Sequence, residues 1–354
     1  MKERLFVVFV VVPFLVQAQQ KQQDSITTEQ LQEVVVTATK ISTNKKNIGK
    51  IVYQITPQMI ALRQGKSVID LLNEVPGIEI NGNYGVKGQN LGYYIRGGRN
   101  RQVLILIDGV AVSDPSSYNN DFDLRQLSLD QIEKIEIVKG AASTLYGTGA
   151  ATGVINIMLK KSSKKRIGGS YKSFIGTNAS QEHQNTNIAD INNTVNFNGT
   201  LDEFNYLLSF NMLKSGELSA AESNDESIKF KEDPFYRFNT LLKLGYTVLE
   251  KLDIDFFSSY DEFSSSYDGF DFMSNSYVDA DNKLKSIQKR IGITPSFTYS
   301  KGILKLNAFY TIIDRNVIPT ADIYKGKALV FDLYNTYNFH KYISLLAGLS
   351  AQYN

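Results

Sequence analysis

Tyr236-Arg-Phe-Asn-Thr-Leu-Leu-Lys-Leu-Gly-Tyr246 puts Tyr236, Phe238, Thr240, Leu242, Leu244 and Tyr246 on one face of an extended chain and Arg237, Asn239, Lys243 and Gly245 on the other. A period of two with one apolar and one polar face is the mark of a β-strand. The pattern recurs on the C-terminal side. Leu252, Ile254 and Phe256 oppose Lys251, Asp253 and Asp255, and Leu304, Leu306, Ala308 and Tyr310 oppose Lys305 and Asn307. Leu329, Phe331, Leu333, Tyr337 and Phe339 share a face against Asp332, Thr336 and Asn338. About nine such strands follow Arg166, with aromatic residues near their ends and polar loops between them. This is the texture of a transmembrane β-barrel, although a soluble β-sandwich has the same period.

The start of the chain bears on that choice. Lys2 and Arg4 precede a twelve-residue apolar run, Leu5 to Val16, broken only by Pro13, and Val16-Gln17-Ala18 offers small residues for cleavage. Residues 1–18 are expected to be a secretory signal, too short to span a bilayer as a helix. Export together with 20 Tyr and 20 Phe favours the barrel, with the aromatic excess forming an interfacial belt rather than a core. The formal charge of +2 argues against nucleic acid as a partner. Without cysteine there is no disulfide, thiolate metal site or Cys nucleophile, and His183 and His340 alone make a His-centred catalytic site unexpected. No set of spaced carboxylates or Ser/His/Asp points to an enzyme.

Between the signal and the strands lie two further zones. Residues 19–50 are polar except for Glu33-Val34-Val35-Val36-Thr37-Ala38-Thr39-Lys40, a β-prone stretch. It reads equally as a strand added to a partner's sheet edge or as the first strand of the next domain. Residues 51–160 read as a compact α+β domain. Ser67 is placed to cap a helix from Val68 to Glu74, which Pro76-Gly77 stops. Val103 to Ile107 is a buried strand, Asp108-Gly109 is a two-residue hairpin signal, and Val110 to Val112 returns. Further strands are expected at Ile132 to Val138 and Val154 to Leu159. Gly65-Lys66-Ser67 lacks the opening Gly of a phosphate loop, which would fall at Ile60, and Gly147-Thr-Gly149 misses the third Gly of a dinucleotide fingerprint by one position. Lys160, Lys161, Lys164, Lys165 and Arg166 read as a solvated connector into residues 161–354.

Several of these motifs in combination resemble those of the TonB-dependent outer-membrane transporters: Val68-Ile-Asp-Leu-Leu-Asn-Glu-Val-Pro-Gly77, Ile95-Arg-Gly97, Val103-Leu-Ile-Leu-Ile-Asp-Gly-Val110, Ile132-Glu-Lys-Ile-Glu-Ile-Val-Lys-Gly140, and Leu145-Tyr-Gly147 running to Gly153-Val-Ile-Asn-Ile157. The resemblance is strong over residues 33–160 and loose beyond, and within the family it leans toward the vitamin B12 (cobalamin) receptors. It implies an α+β plug domain followed by the N-terminal strands of an antiparallel transmembrane β-barrel. Outer-membrane transporters of this kind have 22 strands around a plugged lumen, so nine would be an incomplete barrel and the chain a piece of a longer one.

The resemblance also implies roles. Residues 33–40 correspond to the TonB box, which pairs with TonB. Plug loops around Gly82 to Gly92 and Ser113 to Asn120 would face the ligand, and the family's ligand contacts map onto Asn90, Gly92, Arg99, Ser117, Tyr118 and, in the barrel, Gly269. Identities there differ from the family pattern. Calcium, held in cobalamin receptors by loop carboxylates, maps onto Glu217, Glu222, Asn224, Glu226, Asp268 and Asp279, which spacing alone would class as solvated acidic loops. The expected function is import of cobalamin across the outer membrane. The alternatives are a ferric-siderophore or haem receptor, and, in another class, a periplasmic binding module.

Overall fold

The computed structural model describes residues 35–36, 40, 43–44, 48–82, 87, 91–99, 101–117, 120–177, 187–217, 219, 221, 230–340 and 343–354. The expected signal, residues 1–18, lies outside the described residues.

Two short strands, β1 (Val35–Val36) and β2 (Thr43–Asn44), pair antiparallel. The α+β domain then contains β3 (Ile51–Ile55), α1 (Pro57–Ala61), α2 (Val68–Asn73), β4 (Ile78–Asn81), β5 (Gly92–Ile95), β6 (Val103–Ile107), β7 (Val110–Ala111), β8 (Ile132–Lys139), α3 (Ser143–Tyr146) and β9 (Gly153–Leu159). Its main sheet has the order β3-β8-β9-β6-β7, with β6 and β9 parallel and the other neighbours antiparallel. β4 and β5 form a separate antiparallel pair.

Local chemistry explains these elements. Ser67 caps α2 reciprocally: its hydroxyl accepts from the Asp70 N–H, and the Asp70 carboxylate accepts from the Ser67 N–H at 2.8 Å. Gly65-Lys66-Ser67 is therefore a turn and a helix cap, with Gly65 at φ +80°. The helix ends one residue earlier than the sequence pattern predicts, because Glu74 is its C-cap. Asp108 and Gly109 both have positive φ, 50° and 82°, as the tight hairpin turn between β6 and β7 requires. Asp108 accepts from the Leu159 N–H and Asn156 from the Gly109 N–H, so the turn is closed by the central strand β9. All seven residues of β9 are buried, which accounts for its nearly unbroken apolar sequence. Ile69, Leu72, Ile95, Ile135, Ile137, Ile155 and Ile157 form the middle of the core.

Nine strands form the second sheet, paired antiparallel in sequence order. They are β10 (Gly168–Thr177), β11 (Ile188–Leu201), β12 (Phe204–Glu217), β13 (Asp233–Val248), β14 (Leu252–Asp271), β15 (Ser276–Tyr299), β16 (Gly302–Ile318), β17 (Asp322–His340) and β18 (Ile343–Tyr353). β10 and β18 are its edges and the sheet is not closed. Turns of two or three residues join β11 to β12, β13 to β14, β15 to β16 and β17 to β18 at one end; the connections at the other range from residues 319–321 to residues 218–232. Short periplasmic turns and long outer loops are the usual polarity of such barrels. The alternation has the expected consequence with polar and apolar faces in inverted order: Arg237, Asn239, Asp261 and Arg290 are buried, whereas Tyr246, Ile291, Leu329 and Phe331 are exposed.

An aromatic belt is present at the short-turn end, where Phe297, Tyr299, Tyr337 and Phe339 form a chain of ring contacts with centroids 4.6–6.4 Å apart. The expectation that the Tyr and Phe serve a belt rather than a core needs correction. Phe257 is buried in the plug core cluster, and Phe235 and Phe263 are buried together in a second cluster. These three occupy odd-numbered, inward positions of β13 and β14, so the strand period turns them away from lipid.

Candidate functional site

The polar faces of the nine strands meet the α+β domain, and the contacts are mainly hydrogen bonds and ion pairs. Two 3-10 turns, Leu124–Gln126 and Leu129–Gln131, leave backbone carbonyls without helical partners. The wall supplies donors. Arg237 on β13 donates from one guanidinium nitrogen to the carbonyls of Arg125 and Leu127, each at 3.0 Å. Asn239 donates to the Gln126 carbonyl and to Asp261, each at 2.7 Å, and Asp261 is paired with Arg290 at 3.2 Å. Asp130 accepts from Thr194 on β11 and pairs with Lys172 on β10.

Three more ion pairs continue this interface. Asp114 meets Arg315 on β16 at 2.6 Å, and Asp108 at the hairpin turn meets Lys243 on β13 at 2.6 Å. Lys40 meets both carboxylate oxygens of Asp332 on β17, at 2.8 and 2.9 Å. Its ammonium lies 5.4 Å from the Tyr146 ring and 5.3 Å from the Tyr334 ring. The Lys40 and Asp332 side chains are 10% and 9% exposed, so the pair is largely desolvated. Buried charges are tolerated only when paired in this way.

A cavity of about 270 Å³ opens between the plug and β10 to β13, lined in part by Asp70, Lys87, Arg125, Asp130, Phe235 and Arg237. Burial, reinforced by Arg237 and Arg125, pulls the Lys87 ammonium down to about 8, and its nitrogen lies 4.3 Å from the Phe235 ring centroid. Tyr93 is wholly enclosed. Its hydroxyl donates to the Phe122 carbonyl at 2.8 Å and accepts from the Leu124 N–H, and burial raises its phenol well above the usual range.

The residues singled out from the sequence are distributed as follows. Of the stretch 33–40, Val35 and Val36 form β1 and Lys40 makes the contacts above; Glu33, Val34, Thr37, Ala38 and Thr39 lie outside the described residues. Asn90 and Tyr118 also lie outside them. Gly92 begins β5 opposite Asn81, and Arg99 is exposed in the following turn, its N–H bonded to the Gln102 side chain. Ser117 is buried in the loop that carries Asp114. That loop crosses β17 where Gly326 stands, and a Cβ there would lie 2.7 Å from the Ser116 nitrogen. Gly269 pairs with Val278 beside a bulge at the outer end of β14.

Among the calcium candidates, Glu222, Asn224 and Glu226 lie outside the described residues, as does the side chain of Glu217, whose backbone pairs with Asp233. Asp268 accepts from the Ser219 hydroxyl and the Ala280 N–H, and Asp279 is paired with Lys231 at 3.3 Å. Among the described residues no three acidic or His side chains gather as a metal site. The plug–wall contacts were legible only as polar positions in alternating strands. Asp114 and Arg315, 201 residues apart, had no local signal.

Residues 44–154 match the TonB-dependent Receptor Plug Domain family. Residues 44–154 are a TonB-dependent receptor plug domain. Over the plug region the chain is 34% identical, across 126 residues, to the vitamin B12 transporter BtuB of Photobacterium profundum, covering 35% of this chain and 20% of that one. BtuB of Vibrio cholerae is 36% identical over 133 residues, covering 38% and 21%. In fold, the chain superposes on a variant of the ferric enterobactin receptor PfeA of Pseudomonas aeruginosa with a TM-score of 0.66 and 18% identity, over 90% of this chain and 50% of that one. For the siderophore receptor PirA of Acinetobacter baumannii the TM-score is 0.64 and the identity 21%, over 85% and 47%. The matches thus span about a fifth of the curated relatives and about half of the solved structures. They establish a plug with a mixed sheet followed by a nine-stranded antiparallel wall with the fold seen in those solved structures.

Proposed function

We propose that the receptor imports a scarce ligand across the outer membrane by coupling to TonB, and that the ligand is cobalamin. The observation that carries this reading is the seating of the plug on the wall through Arg237, Asn239, Asp130, Asp114 and Lys40. Contacts of this kind can be exchanged for water one at a time, which leaves Leu207, Leu241 and Phe257 as the apolar contacts that a shift of the plug must also release. The β-prone stretch 33–40 runs directly into Lys40. Released from Asp332, it is free to add as a strand to a partner's sheet edge, the chemistry expected of an encounter with TonB. No bond in the ligand is made or broken in this scheme.

Cobalamin rests on the names of the plug relatives, and a ferric siderophore on those of the structural neighbours. A cobalamin-dependent cell lacking its own receptor, supplied with the full-length gene, separates the two. Uptake of labelled cobalamin is expected, and uptake of ferric siderophore in its place overturns the ligand assignment. Val36→Pro, which removes an N–H from the stretch, is expected to abolish uptake while surface binding persists. Unchanged uptake refutes the TonB-box role. Calcium belongs to the same proposal, with Glu217, Glu222, Asn224, Glu226, Asp268 and Asp279 as its ligands. Because Asp279 is engaged by Lys231, calcium must displace that lysine, and terbium luminescence unaffected by Asp279→Asn would count against the site.

A further inference from the structure

Two cavities lie between the plug and the first strands of the wall, one above the other. The outer one, of about 270 Å³, is bounded on the wall side by Phe174 of β10, Asn192 of β11 and Leu213 of β12. The inner one, of about 380 Å³, lies toward the turn between Leu201 and Phe204, against Ser170 of β10, Asn196 of β11 and Leu207 of β12, with Glu133 and Lys160 of the plug opposite. Inward positions alternate along a strand, so the two linings are separated by Lys172 on β10, by Thr194 on β11, and by Ser209 and Asn211 on β12. From Asn192 to Asn196 the strand rises about 13 Å.

Register places Lys172, Thr194 and Asn211 side by side in one cross-strand row, which continues to Asn239 on β13. Two plug side chains face this row. Asp130 pairs with Lys172 and accepts from the Thr194 hydroxyl at 2.9 Å, and Gln64 is bonded to Lys172. Asn211 donates to the same hydroxyl at 2.8 Å. On the neighbouring strands the seal is of another kind. Asn239 is held by the Gln126 main-chain carbonyl, and beside it Arg290 and Asp261 are paired with side chains only 5% and 3% exposed. Lys172 is 40% exposed and Asp130 10%, so their pair already borders water. Gln131 Nε2, Asn196 Oδ1 and Ser209 Oγ nearby are buried and have no protein partner among the described residues, a polar setting that water can enter. A carboxylate on a rotatable side chain exchanges its partners for water there at less cost than a main-chain carbonyl or a desolvated ion pair does.

We propose that the passage through the lumen runs between the plug and β10 to β12, and that the cluster of Asp130, Lys172 and Thr194 is its gate. Swinging the Asp130 side chain off the row joins the outer cavity to the inner one while β13 to β17 keep their hold on the plug. The proposal rests on the import reading for its purpose and gives that reading a side: the plug need not leave the wall as a whole.

The test uses the full-length protein in planar lipid bilayers with potassium chloride, a probe that does not depend on which ligand is imported. Asp130→Ala is expected to raise the conductance at least about tenfold over wild type, and Lys172→Gln about threefold. Heat-modifiable mobility on gels verifies folding, and the partly exposed Lys172 keeps the test open where Asp130→Ala does not fold. Asp114→Ala breaks the plug–wall pair on β16 and is expected to stay within about twofold of wild type. The sequence has no cysteine, so Asn196→Cys in the Asp130→Ala background can be labelled with a bulky methanethiosulfonate, which is expected to close the conductance. No rise in any folded gate variant overturns the proposal, and an equal rise in Asp114→Ala reduces it to general loosening of the plug. A conductance that survives labelling at position 196 places the path elsewhere. Absence of labelled cobalamin uptake, with these conductances as expected, overturns the import of cobalamin and not the gate.

Discussion

Lys40→Gln tests whether one ion pair holds the N-terminal segment against the wall. The Lys40 and Asp332 side chains are about one-tenth exposed, with two Nζ–carboxylate contacts below 3 Å and two aromatic rings beside the ammonium. A fully exposed pair would contribute about 0–1 kcal/mol. Removing one partner of a fully buried pair costs about 3–5 kcal/mol. This pair lies nearer the second limit, and each cation–π contact adds about 0.5–1 kcal/mol. We take about 3 kcal/mol for the latch, which corresponds to about a hundredfold more opening at about 1.4 kcal/mol per factor of ten. β1 and β2 share two residue pairs, and the Lys40–Asp332 pair ties the segment that joins them to the wall. Hydrogen exchange at the amides of residues 35–44 is expected to accelerate by up to that factor in Lys40→Gln, with β8 in the plug core unchanged. Asp332→Asn should act alike, and the double variant should add little to either, as a coupled pair requires. Unaltered exchange at residues 35–44, or fully additive effects, would refute the latch.

Three further outcomes are expected. Gly326→Ala should push the plug loop from β17, since the new Cβ would lie 2.7 Å from the Ser116 nitrogen and 3.0 Å from the Pro115 carbonyl carbon; a loss of about 1–3 kcal/mol in urea unfolding checks this. Asp70→Ala should remove half of the reciprocal cap on α2 and cost about 1 kcal/mol, read the same way. Lys87 has its folded-state value lowered from 10.5 to about 8, so below pH 8 the folded state bears the whole penalty of a buried ammonium. Between about pH 8 and 10.5 the unfolded chain binds the extra proton and wild-type stability rises with pH; the melting-temperature advantage of Lys87→Met should therefore be greatest below pH 8 and fade toward pH 10.5.

The parts of the fold legible in the sequence are those specified by neighbours along the chain. Ser67 and Asp70 are three residues apart, Asp108-Gly109 encodes its own turn, and the alternation from Tyr236 to Tyr246 fixes which side of β13 faces lipid. The pairing partners were not legible. Arg237 reads as one polar position among many until the folded chain brings it to carbonyls 110 and 112 residues away. β3 and the β4–β5 pair are short, and β5 packs as a strand although Gly92 opens it, so tertiary pairing rather than propensity defines them. The inward Phe residues escaped for a related reason, since composition does not distinguish a ring facing lipid from one facing a plug.

The place of β3 at the edge of the plug sheet has a mechanical consequence. Of the five strands of the plug sheet it is the nearest to Lys40 along the chain, and it is joined to the sheet through β8, over the five pairs from Ile51–Lys139 to Ile55–Ile135. Tension applied to the chain ahead of it is borne by that one ladder before it reaches β9, β6 or β7. The central strands, locked to the Asp108-Gly109 turn through Asn156 and Leu159, are thus in series behind a sacrificial outer strand. Such an arrangement lets part of the plug yield under load while the remainder keeps its shape and its place in the wall.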